Sequence, residues 1–171
     1  MDIKKILAIT IAVLALFACM NVASAGWFDF FGGNELANET YTFEGFTLDL
    51  PEGASMFNFS SDSDGVYMNT YYVSWGSEQD GNNGSIDVTY AKGENMVTSA
   101  EEFVQNWVDM GAVSEGQYNG WSIINRNGVP NDNGGTYSGY MMAKYQDGSM
   151  YILMGDDLDF LKGVADSFKT V

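Results

Sequence analysis

Apolar and polar residues alternate with a period of two along most of the chain after Tyr41, which places successive side chains on opposite faces of extended strands. Thr42 to Leu50 is the first such run, with Phe46, Leu48 and Leu50 on one face and Pro51-Glu52-Gly53 as its stop. Met56 to Phe59 reads as a short second strand, closed by the turn-forming run from Ser60 to Gly65. Val66 to Trp75 is aromatic and β-branched, and Ser85 to Ala91 sets Ile86, Val88 and Tyr90 opposite Ser85, Asp87 and Thr89. Gly81-Asn82-Asn83-Gly84 is turn chemistry, so these two strands are expected to form a hairpin.

The period then changes. Ala100, Phe103, Val104, Trp107 and Gly111 recur at helical spacing, predicting a helix from about Ser99 to Met110 with Thr98 and Glu101 as a capping box and Gly111 as the stop. Strands return at Trp121 to Asn125, Tyr137 to Tyr145 and Met150 to Met154, the last two joined by Asp147-Gly148, a strong two-residue hairpin signal. Met150 to Met154 is apolar on both faces, which places it inside a sheet covered on each side. A second helix from Asp157 to about Lys169 lines up Leu158, Leu161, Val164, Ala165 and Phe168. This order predicts an α+β domain: a single antiparallel β-sheet of about six to seven strands with two main helices packed against it.

Ahead of this domain lie two lysines, a run of 15 apolar or small residues from Ile6 to Met20, and Ala23-Ser24-Ala25. Residues 1–25 therefore read as a signal peptide cleaved between Ala25 and Gly26, and the mature chain as secreted or held in the cell envelope. Two anchored alternatives remain. Leu16-Phe17-Ala18-Cys19 approximates a lipobox, and the charge-free stretch from Ile6 to Phe28, 23 residues, has the length of an uncleaved membrane anchor. Residues 26–40 read as a flexible tether containing the aromatic cluster Trp27-Phe28-Asp29-Phe30-Phe31 and Gly32-Gly33. Residues 41–171 read as one domain.

Composition removes most catalytic options. The 171 residues include no His and one Cys, Cys19, which lies in the leader. His-based triads, His metal sites and thiol chemistry are thereby excluded from a mature form, and so are disulfides. Neither G-x-S-x-G nor S-x-x-K occurs. Loss of residues 1–25 removes Asp2, Lys4 and Lys5, leaving 22 acidic and 5 basic groups and a formal charge of -17. That charge opposes nucleic acid and anionic lipid as partners and favours basic ones.

Three acidic runs evoke cation sites: Asp62-Ser63-Asp64-Gly65, Asp80-Gly81-Asn82-Asn83-Gly84 and Asp156-Asp157-Leu158-Asp159. None keeps calcium-loop spacing. The first two are read as turns, and the third as the cap of the last helix. Met141, Met142, Met150 and Met154 are read as core filling. No metal or cofactor is expected. Trp75 and Trp121, near strand ends, are read as core packing, with stacking rings for a sugar as the alternative role. Asn38, Asn58 and Asn83 stand in N-x-S/T sequons as candidate glycosylation sites.

The opening stretch Tyr41-Thr-Phe-Glu-Gly-Phe-Thr-Leu-Asp-Leu-Pro-Glu-Gly53 resembles the first strands of the PsbP-like superfamily. The closing stretch Tyr151-Ile-Leu-Met-Gly-Asp-Asp-Leu-Asp-Phe-Leu-Lys-Gly-Val-Ala-Asp-Ser-Phe-Lys169 resembles its last strand and final helix. The resemblance implies a central antiparallel sheet sandwiched by helices and a binding or assembly role without catalysis. The expected function is thus an exported, non-catalytic binding or assembly protein of the cell surface or envelope, with a protein or glycan partner and membrane contact only through an N-terminal anchor. A glycan-binding domain and a carboxylate-dependent cell-wall hydrolase are the alternatives.

Overall fold

A computed structural model describes residues 38–76 and 83–171. The expected signal peptide, its Ala25/Gly26 cleavage point, Cys19 and the aromatic cluster lie outside the described residues.

Among the described residues there are ten strands and two helices, an α+β fold whose strands pair antiparallel. β1 (Asn38–Phe43) and β2 (Phe46–Pro51) are a hairpin, followed by β3 (Ser55–Ser63), β4 (Val66–Trp75) and β5 (Gly84–Gly93). Helix α1 (Ala100–Asp109) leads to β6 (Val113–Tyr118), β7 (Trp121–Asn125), β8 (Tyr140–Gln146) and β9 (Ser149–Gly155). Helix α2 (Leu158–Asp166) and the two-residue β10 (Lys169–Thr170) close the chain.

The strands divide between two sheets. One has seven strands in the order β3-β4-β5-β9-β8-β7-β6, and the other has three in the order β1-β2-β10. The single sheet expected from the sequence is therefore corrected to two. The reason lies at Glu44-Gly45: Gly45 adopts φ 79°, and the stretch expected to be one strand from Thr42 to Leu50 folds back on itself. Phe46, Leu48 and Leu50 do share one buried face, but they cap the large sheet and do not extend it. The expected tether also shortens, because Asn38, Glu39 and Thr40 already pair with Pro51, Leu50 and Asp49.

Turn chemistry sets the hairpins. The three non-glycine residues with positive φ among those described are Asp64, Asn119 and Asp147, each followed by a glycine with positive φ. This pairing matches the right-handed strand twist and produces the β3–β4, β6–β7 and β8–β9 turns.

β9 is the fourth of the seven strands and is apolar on both sides, as its sequence requires. Tyr151 and Leu153 join a core cluster with β2 and with Phe160, Leu161, Val164 and Ala165 of α2. Met150, Ile152 and Met154 join a second cluster with Phe103 and Trp107 of α1. The adjacent residues Met141 and Met142 fall in different clusters and are core filling. The large sheet is thus the middle layer, with α2 and the small sheet on one face and α1 on the other.

Both helices cap themselves. Ser99 accepts from Glu102 N at 3.1 Å while the Glu102 carboxylate reaches back to Thr98 N at 3.0 Å, so the box lies one residue later than the Thr98/Glu101 pair expected. Asp157 accepts from the amides of Asp159 and Phe160 at 2.8 and 3.0 Å, which is the capping role expected of that acidic run. α2 ends at Asp166, not near Lys169. Its Phe168 instead turns back to pack on Tyr151, Trp121 and Phe46 with centroids 4.8, 5.3 and 5.8 Å away. No helix among the described residues is long and apolar enough to cross a membrane.

Candidate functional site

Among the described residues β3 forms one edge of the large sheet and is accessible along most of its nine residues. Its register with β4 sets Phe57 opposite Tyr72 and Phe59 opposite Thr70. Both phenylalanines therefore lie on the face that also carries α1, where Phe57 stacks on Tyr72 with centroids 4.8 Å apart. They remain 57% and 48% exposed, and Met56 on the opposite face is 40% exposed. From Ser55 to Ser61 the strand carries no charge, although the whole chain carries -16. Natural edge strands usually carry charges, prolines or bulges that discourage pairing. The other edge, β6, follows that rule, with Glu115 and a register shift between Ser114 and Gly116. β3 has its first charge only at Asp62.

The cross-strand row that begins at Phe57 and Tyr72 continues through Asp87, Met154, Met141 and Ile124. Two residues beyond Met154, Asp156 reaches the same corner, where its carboxylate and the Gly155 carbonyl together leave no room for a Cβ at Gly139. Arg126, just after β7, extends into this row. Its guanidinium donates to the Ser138 carbonyl at 2.9 Å and to the Met154 sulfur at 3.8 Å, and lies 5.6 and 5.9 Å from the Tyr137 and Trp107 ring centroids. Burial pushes the Asp87 carboxyl up to about 6, against the opposing pull of Arg126 and with a further push from Asp156. Burial likewise lowers the Arg126 guanidinium and raises the Tyr72 and Tyr137 phenols. The Arg126 Nε and Tyr137 hydroxyl have no hydrogen-bond partner among the described residues. Chemically this corner offers a carboxyl poised to exchange a proton in mildly acidic solution, beside a second carboxylate and a cation. Among the described residues, no group of three or more acidic, His or Cys side chains is arranged to hold a metal.

A second polar cluster lies on the other face. Glu44, in the β1–β2 turn, accepts from Tyr67 at 2.6 Å and from Asn69 at 3.2 Å, and pairs with Lys92 at 3.7 Å. Asn69, 5% exposed, also donates to the Tyr71 hydroxyl and accepts from Asn58. The Tyr67 hydrogen bond is the main cause of a lowered Glu44 and of a Tyr67 phenol raised to about 12. These contacts fasten the small sheet to the large one.

The residues singled out from the sequence lie elsewhere or in altered roles. Trp75 and Trp121 are 5% and 1% exposed, packed on Phe160 and Phe168 respectively, so both rings belong to the core and offer no open face for stacking a sugar. Their strand-end positions face inward because α2 and the C-terminal segment close over that end of the sheet. Asn38 and Asn58 are exposed and Asn83 is partly buried beside the segment outside the described residues. Asn58 lies in β3 between Phe57 and Phe59.

No protein-family model matches the chain, and no curated protein or solved structure matches it either.

Proposed function

We propose that this chain is an exported, non-catalytic binding or assembly protein that docks partners by strand addition along β3. The observation that carries this reading is the uncharged, exposed edge from Ser55 to Ser61 with Phe57 and Phe59 on one face. Main-chain groups of an edge strand supply affinity, and alternate side chains supply selectivity. The leader-like N-terminus and the resemblance to the PsbP-like superfamily support the export and assembly components of the reading. Capture from an envelope extract at low and high salt tests it. The expected result is a partner, including the chain itself, retained by the wild type at high salt and lost with Phe57→Lys. Retention of nothing at any ionic strength overturns it.

A second reading, a carboxylate-dependent hydrolase, has one observation in its favour: Asp87, held near the protonated state at mildly acidic pH, shares a corner with Asp156. One acid that donates and one carboxylate that accepts are the minimum set for glycoside hydrolysis. Release of soluble fragments from cell-wall polymer, abolished by Asp87→Asn, would establish it, and equal inertness of both proteins would remove it.

A further inference from the structure

We infer that the strand β3 pairs with is β3 of a second copy of this chain, arranged antiparallel about a two-fold axis through Asn58. The inference rests on the strand-addition reading above and names its partner.

Charge narrows the choice of partner. The chain's acidic surface attracts basic proteins at many places, but the edge from Ser55 to Ser61 has no charge with which to recognise one. A matching strand must itself be uncharged over the paired length and must offer aromatic side chains at alternate positions. β3 meets both conditions.

Register then selects the axis. In an antiparallel pair, directly opposed residues point to the same face, so a two-fold axis normal to the sheet must pass through a residue and not between two. Centring it on Asn58 opposes Phe57 with Phe59 of the other copy, twice, on the face where Phe57 already stacks on Tyr72. It also opposes Met56 with Ser60, and Ser55 with Ser61. Aromatic residues directly opposed across an antiparallel pair are among the favourable cross-strand contacts. No carboxylate is opposed to another: Asp62 faces Ala54. The two seven-stranded sheets become one continuous sheet.

The interface is small. Four half-exposed phenylalanine rings and one strand pair cover about 1,000 Å² or less, the range of weak and transient contacts. The remainder of each acidic surface repels its copy, so added salt should strengthen association.

Single cysteines read the register directly. In the full chain carrying Cys19→Ala the introduced thiol is the only one. Under mild oxidation Asn58→Cys should give a covalent dimer, because position 58 alone faces itself. Ser55→Cys and Ser61→Cys should each give no covalent dimer alone and cross-link when mixed. Sedimentation should show a concentration-dependent dimer that tightens from 20 to 500 mM salt and weakens about tenfold or more with Phe57→Lys, a surface change whose folding is checked by far-UV circular dichroism. A monomer at every concentration and salt overturns the inference, whether the chain's own residues before Asn38 or another protein occupies β3. So does equal cross-linking at all three positions. If the monomer still retains a second protein that Phe57→Lys releases, strand addition stands while self-pairing falls. If nothing is retained, both fall.

Discussion

At Asp87 folding is linked to the uptake of a proton. Its folded-state carboxyl titrates near 6, well above the ordinary carboxylate value, so the folded protein holds that proton more tightly than the unfolded chain does. The stability linked to this group is complete below about pH 4 and is lost as pH rises through about 6, a change of up to about 3 kcal/mol. Asp87→Asn should flatten that part of the stability curve, seen as a smaller fall in Tm between pH 4.5 and 6.5 than in the wild type. Glu44 works in the opposite sense: its lowered carboxyl contributes stability above its usual value and loses it as pH falls. Asn69 links Glu44, Tyr71 and Asn58, and Asn69→Ala should cost about 1 to 3 kcal/mol in urea unfolding, because the buried Tyr71 hydroxyl loses a partner and the buried Asn69 site loses its side chain. None of these groupings was legible from the sequence. Asp87 and Arg126 are 39 positions apart, and only the successive pairing of β5 with β9, β9 with β8 and β8 with β7 carries them into one row. The stacking alternative for the tryptophans stayed open for a related reason: a strand end looks open until a helix from a distant part of the chain closes over it.

Most elements were readable because their cause is local. The bounds of β4 and β7, the Asp147-Gly148 turn and the doubly apolar β9 follow from apolar, aromatic and β-branched runs and turn residues alone. β6 went unread because Val113-Ser-Glu-Gly-Gln-Tyr118 has no apolar face to announce it. β3 outran its apolar portion because Ser60 to Ser63 is held by pairing with β4 and not by burial. The β1–β2 break turns on Gly45, a single residue inside an otherwise regular alternation. Glycine matters more sharply at Gly93, which has φ 152° and where a Cβ would overlap the Gly65 carbonyl oxygen. Gly93→Ala should therefore destabilise by about 2 to 4 kcal/mol, measured by thermal melt, since backbone and not a flexible side chain must yield. At the C-terminus β10 contributes little beyond two residues of pairing with β2. Removing residues 169–171 should change stability by less than about 1 kcal/mol, whereas Phe168→Ala should cost about 2 to 4, because the ring touches Phe46, Trp121 and Tyr151 together.

Over the whole molecule, the layered arrangement was legible in one strand: a run apolar on both faces requires cover on both, and α1 and α2 supply it. The division into two sheets was not, because sequence alternation says which residues face inward and not which sheet they join. β9 alone is hydrogen-bonded both to the β3-β4-β5 half and to the β8-β7-β6 half of the large sheet, yet it is built from residues 149–155 of 171. A polypeptide that ends before that point lacks the strand with which both β5 and β8 pair. A product terminated before Ser149 therefore has nothing to zip the halves together and should be cleared rapidly by proteases, while the complete chain gains its resistance in one late, cooperative step.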